Sequence, residues 1–220
     1  MTPYLYTVVE KEHLTEMLGA FQACVNLPIQ VIDENGKILE SSGAETCFCN
    51  TFKKHLPKDD SCELLHINAS KRAITLGETY IFSCHANLNH IVFPLLNKSA
   101  FFGSILVGPF LMDSPDSLMI LDISKRYEIP TESLLELYEE SNSIKVITPA
   151  HVTQISKLLY YLFSSLISDS RQQLIINQGK LHQQSKINES IQMYKSFGDE
   201  EKVSYPYEKE KELITKVKTK

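Results

Sequence analysis

The stretch that decides the fold runs from Thr79 to Met112 and reads TYIFSCHANLNHIVFPLLNKSAFFGSILVGPFLM. It holds three apolar runs, Tyr80–Ser83, Ile91–Leu96 and Phe101–Met112, rich in Val, Ile and Phe. Polar residues separate them, among them Asn97-Lys98-Ser99. Apolar runs of this length divided by turn residues predict an antiparallel meander. Cys84 and His85 stand side by side where the first run ends. Strand ends held by a rigid sheet are where binding chemistry collects.

Upstream, Leu14, Leu18, Phe21 and Val25 recur at helical spacing, which predicts a helix over Glu12–Val25. Two short apolar runs then flank Asp33-Glu34-Asn35-Gly36, and Asn-Gly is a strong hairpin signal. Strands are expected at Ile29–Ile32 and Lys37–Ser41. A short helical piece begins at Cys47 and ends near Pro57. A longer helix starts at Asp59-Asp60-Ser61, with acidic groups at its N-terminal end, and stops at Gly77. Leu64, Ile67, Ala73 and Ile74 are expected on its buried side. The order gives an α+β fold, one sheet of about five strands with helices on one face.

Beyond Met112, helices are expected over Pro115–Tyr127 and Thr131–Glu139. Thr148 and Pro149 read as the cap and first turn of another helix. Its stripe of Ile155, Leu158, Leu159, Leu162, Phe163, Leu166 and Ile167 is wide enough for one edge to pack on the sheet and the other on a partner. After Ser170 the apolar positions thin out, and Phe197–Lys220 is highly charged. Three parts are expected: a sensory domain over 1–148, a signalling and dimerisation helix over 149–196, and a charged linker over 197–220. A homodimer joined mainly through Pro149–Tyr194 would bury the sparse apolar positions of that helix.

Composition excludes some classes. The net charge of -5 argues against a nucleic-acid surface in this chain. The longest apolar run, Ala100–Met112, is too short to span a bilayer and is broken by Gly and Pro. With no signal peptide visible, a cytoplasmic protein is expected. Five cysteines, an odd number, in a reducing compartment do not make a disulfide framework.

The order of Pro28–Lys37, Phe48-Cys49, Ser61-Cys62, Tyr80-Ile-Phe-Ser-Cys84-His85-Ala86-Asn87-Leu88 and Phe101-Phe-Gly-Ser-Ile-Leu resembles the PocR-type sensory domain. The resemblance covers roughly Leu14 to Ile167. It implies a variant of the PAS fold: an antiparallel sheet with flanking helices and a long C-terminal helix. It also implies a small organic ligand such as a short diol, and a place at the N-terminus of an AraC-type transcription regulator or in a sensor kinase. Asn87 stands where the family commonly has Gly, and Cys47 is a thiol the pattern does not demand. Ser204–Ile214 resembles the linker before the effector of AraC-type regulators, and no helix-turn-helix is visible before Lys220. DNA is therefore expected as a partner only through an effector outside this chain.

The candidate ligand contacts are Cys49, Cys62, Phe82, Cys84, His85 and Asn87. His85 can both donate to and accept from a ligand, or it can be an imidazole satisfied by a core carbonyl. Each cysteine taken alone reads as a small buried apolar residue. Cys47, Cys49, Cys62 and Cys84 taken together could hold zinc or an iron–sulfur cluster, which gives a metal or redox sensor as the alternative function. Their spacing lacks the paired C-x-x-C knuckles of a zinc site. Phe48, Phe82 and Phe102 read as apolar walls or ordinary core. His13, His55, His66, His90, His151 and His182 read as surface or packing residues. Ser104 lacks a nucleophile elbow, and adjacent residues of a strand point to opposite faces, so Cys84-His85 is not a protease-like dyad. No enzyme is expected.

Overall fold

The computed structural model describes residues 4–57, 60–97, 100–115, 117–164 and 166. A short 3-10 helix, Tyr4–Thr7, precedes α1 (Lys11–Val25), β1 (Ile29–Ile32), β2 (Ile38–Ser42), α2 (Cys47–Lys53) and α3 (Cys62–Leu76). The meander follows as β3 (Tyr80–Ser83), β4 (Asn89–Asn97) and β5 (Ala100–Phe110). Then come α4 (Ser117–Tyr127), α5 (Thr131–Ser141) and α6 (Pro149–Ser164). The five strands form one antiparallel sheet in the order β2-β1-β5-β4-β3. The N-terminal hairpin therefore joins the meander through β1 against β5. Among the described residues no helix is long and apolar enough to cross a membrane.

Local chemistry sets the boundaries. Asp33 Oδ1 accepts from the backbone N–H of Asn35 at 2.9 Å and of Lys37 at 2.8 Å, which closes the β1–β2 turn. Thr46 caps α2 by accepting from Cys49 N, and Ser61 caps α3 by accepting from Leu64 N. Gly77 ends α3 in the left-handed conformation at φ 69°. Thr148 Oγ1 accepts from His151 N at the start of α6, as its sequence position predicts.

Helices cover both faces of the sheet, not the one face expected. Val31, Ile91, Phe93, Ile105 and Val107 pack with Leu14, Leu18 and Phe21 of α1 and with Ile155, Leu159 and Phe163 of α6. Their neighbours Ile32, Val92 and Leu106 point the other way, onto Ala69 and Ala73 of α3. The physical reason is the unbroken apolar character of β4 and β5. A strand with one wet face alternates, whereas these strands bury both sets of side chains. A third apolar group joins Phe48 and Phe52 of α2 to Ile120 and Ile123 of α4, Leu137 of α5, and Leu88 and Leu111.

One helix face differs from expectation. On α3, Leu64 is 46% exposed, and the buried positions are Ala69, Ser70 and Ala73. Small residues let this helix approach the sheet closely, so the larger aliphatics fall on its flanks. On α6, Leu158 and Tyr161 are exposed beside the buried Ile155, Leu159 and Phe163. The expected continuation of this helix beyond residue 166, and the charged linker, lie outside the described residues.

Candidate functional site

A cleft of about 190 Å³ opens between the β1–β2 hairpin, α2, the first turns of α3 and the ends of β4 and β5. Cys49, Phe52 and Lys53 reach it from α2, and Cys62, Glu63 and His66 from α3. Gln30, Ser41 and Ser42 come from the hairpin, and Cys84, Ala86, His90, Gly108 and Pro109 from the meander. Three thiols that are far apart in sequence thus meet in one concavity. Two caps bring this about. The Thr46 cap turns Cys49 toward the cleft, and the Ser61 cap starts α3 at Cys62.

The cleft interior is uncharged. Burial raises the Cys49 thiol above its ordinary range, pushes Cys62 up to about 11 and Cys84 up to about 12. Burial thus favours the neutral thiol at all three, which makes them poor nucleophiles. Burial also lowers His66 to about 4 and His90 to about 3, so both rings are neutral. Charge is confined to exposed groups, where Lys53 pairs with Glu45 and Glu63 is held as a carboxylate chiefly by the Ser61 side chain. Burial works to lower Lys53, but its bond to Glu45 outweighs this and the ammonium is favoured. Two carboxylates and one ammonium do not favour an anionic ligand.

The sequence candidates divide. Cys49, Cys62 and Cys84 line the cleft. Phe82 stands behind it, stacked on His90 with centroids 5.3 Å apart and planes at 18°. His85 and Asn87 are not among the lining residues. Nδ1 of His85 lies 3.3 Å from Tyr127 Oη and 3.5 Å from Asp60 Oδ2, while its Nε2 is buried without a partner among the described residues. Asn87 takes φ 59°, the left-handed form expected of a Gly substitute, and its side chain donates to Asp122 at 3.3 Å. Cys47 is exposed and does not line the cleft. Among the described residues, no three His, Cys, Asp or Glu side chains are placed to hold one metal ion.

His66 and His90 are the residues that the sequence reading left as packing or surface. The signal for His90 lay in strand register. β4 begins at Asn89, two residues before the apolar run, and His90 pairs with Phe82 across β3 and β4. The signal for His66 is its place one helical turn after Cys62, on the face of α3 that follows the Ser61 cap.

The cleft thus lies at one end of a sheet covered on both faces. The chain matches the family described as the sensory domain found in PocR over residues 7–171, and it belongs to that family. Comparison with curated proteins gives no match.

Proposed function

We propose that the cleft binds a small, neutral, polar organic molecule of the short-diol kind, and that the chain is the sensory part of a bacterial transcription regulator acting in the cytoplasm. The observation that carries this is a cleft lined mostly by apolar surface and neutral polar groups, with its charged groups Glu45, Lys53 and Glu63 at exposed positions. A cavity of about 150 Å³ is enough for benzene, so about 190 Å³ has room for a molecule of up to roughly ten heavy atoms, short diols included. The reading is of binding without catalysis, because the raised thiols are not activated nucleophiles.

The state of the cleft has a short route to α6. Gly108 and Pro109 line it, and two residues on, Leu111 N donates to Lys145 O at 2.9 Å while Ile147 N donates to Leu111 O at 2.8 Å. Ile147 leads directly into α6. A ligand that prefers one seating of this segment would bias α6, and through a dimer the DNA-binding effector. The exposed Leu158 and Tyr161 supply an apolar edge for that dimer.

Calorimetric titration with propane-1,2-diol, with oligomeric state read by light scattering in the same buffer, tests this. Saturable binding to a dimer is expected. Absence of saturation in the millimolar range sinks the ligand reading, and a monomer at tens of micromolar sinks the dimer.

A further inference from the structure

We infer that His66 is the residue through which the cleft hydrogen-bonds its ligand, and that the group it takes is a hydroxyl. This deepens the reading of the cleft as the ligand site and rests on it.

The sequence aims the ring at the sheet. Ser61 caps α3 and starts the helix at Cys62. His66, Ala69 and Ala73 then follow at helical spacing on one face. Ala69 and Ala73 are buried against Val92 and Leu106 of the sheet. His66, nearer the start of the helix, projects on the same side and lines the cleft. Two aromatic neighbours hold it there. His90 lies with its ring centroid 5.6 Å away and its plane at 53°, and Phe82 lies edge-on at 6.1 Å and 69°. A ring seated before the ligand arrives loses little freedom on binding.

Unlike the other two histidines of this region, His66 can be reached. Nε2 of His85 and Nδ1 of His90 are sealed in without a partner among the described residues. The ring of His66 makes no hydrogen bond among the described residues either, yet neither of its nitrogens is sealed. The residue is half-buried where His90 is buried. With His90 and Phe82 against the ring, its open side is the cleft. The other strong polar groups there are engaged. Lys53 pairs with Glu45, and Glu63 with the Ser61 side chain. The thiols are weak donors.

The ring's chemistry then selects the ligand group. Burial lowers His66 to about 4, so at neutral pH it offers one N–H donor and one acceptor lone pair without charge. A hydroxyl donates and accepts, and so pairs with whichever nitrogen it meets. An apolar ligand would take the ring out of water and leave it unpaired. Sites that hydrogen-bond a substrate hydroxyl reject analogues lacking it far more strongly than apolar pockets reject a change of size.

The test uses the full chain, with propane-1,2-diol as the probe in calorimetric titration. Phenylalanine is nearer to histidine in shape, and glutamine is nearer in hydrogen bonding. His66→Phe should weaken diol binding tenfold or more, while His66→Gln should stay within threefold of wild type. If His66→Phe does not fold, His66→Leu reads the same loss. Nitrogen-15 NMR of the imidazoles in wild type adds a readout that a merely structural residue would not move. The His66 nitrogens should shift on saturation with the diol, and those of His85 should not. Equal losses in His66→Phe and His66→Gln, or His66 nitrogens unmoved at saturation, overturn the proposal. Cys62→Trp fills the cleft and separates the two readings, and Ser42→Trp does so from the hairpin side if the first does not fold. Diol binding that survives the filled cleft overturns the cleft as the site, and the role of His66 with it. Binding lost there but undiminished in His66→Phe overturns His66 alone. Absence of diol binding to wild type overturns both.

Discussion

His85 and His90 lie five residues apart on one hairpin and end in opposite circumstances. His85 sits in the β3–β4 turn, where Cys84 N donates to Leu88 O at 2.7 Å and Asn87 N donates to Cys84 O at 2.9 Å. That tight turn aims its ring away from the sheet, toward Tyr127 of α4 and Asp60. His90 is the second residue of β4, and strand pairing puts it against Phe82 inside the cleft wall. Among the described residues, one imidazole has polar neighbours on Nδ1 and the other has no hydrogen-bond partner there. The difference teaches that the residue next to a conspicuous cysteine need not be the one the fold commits to a cavity.

The largest expected effect breaks the His90 side of this comparison. Gly108→Val should destabilise the chain by about 2–6 kcal/mol. Roughly 1–3 comes from forcing a branched residue into positive φ, and roughly as much from crowding Asn89 O and the His90 ring. Urea denaturation, read as a fall in midpoint with the slope unchanged, measures it. A loss under 1 kcal/mol would mean the bare backbone at 108 is not what seats the ring.

A middle-sized effect comes from pH. Burial keeps His66 and His90 neutral in the fold down to about 4 and about 3. An unfolded imidazole takes up its proton near pH 6.5. Below that point the unfolded chain binds more protons than the folded one, so acid removes stability through these two rings. The slope is up to about 1.4 kcal/mol per pH unit for each ring, and above about pH 7 it vanishes. Urea midpoints measured between pH 6.5 and 5, above the main carboxylate range, should fall for wild type. They should flatten for the double variant His66→Gln, His90→Asn. An unchanged slope in that variant would mean that the fold does not hold these rings neutral.

Much of this architecture was legible in the residues. The Asn35-Gly36 turn, the Ser61 and Gly77 limits of α3 and the three-strand meander follow from local signals, and the structure keeps them within a residue or two. The both-sided covering of the sheet was also written in the unbroken runs of β4 and β5, but period-two reading looks for alternation and passes over its absence. The cleft was half legible. Cys49, Cys62 and Cys84 stand out as rare residues. His66 and His90 are ordinary in sequence, and only helix phase and cross-strand register set them opposite one another. Gly108 shows the same limit. Its need for positive φ depends on how β5 approaches Asn89, a distance no spacing encodes.

The smallest expected effect tests the other half of the comparison. His85→Ala removes the contact with Tyr127 Oη and the approach to Asp60, whose side chain is more than half exposed. An exposed ion pair contributes about 0–1 kcal/mol and an ordinary hydrogen bond about 1 kcal/mol. The variant should therefore lose only about 0.5–1.5 kcal/mol of stability. Its affinity for propane-1,2-diol should change less than threefold, because His85 does not line the cleft. Tyr127→Phe should remove part of the same stability, and the double variant should lose less than the sum, since the two changes share one contact. The informative failure is in the binding. Nε2 of His85 is buried with no partner among the described residues, and Cys84 beside it does line the cleft. A tenfold loss of diol affinity in His85→Ala, with folding intact, would mean that the ligand reaches past Cys84 to this nitrogen. The two histidines would then border one ligand, and the contrast between them would be one of depth rather than of role.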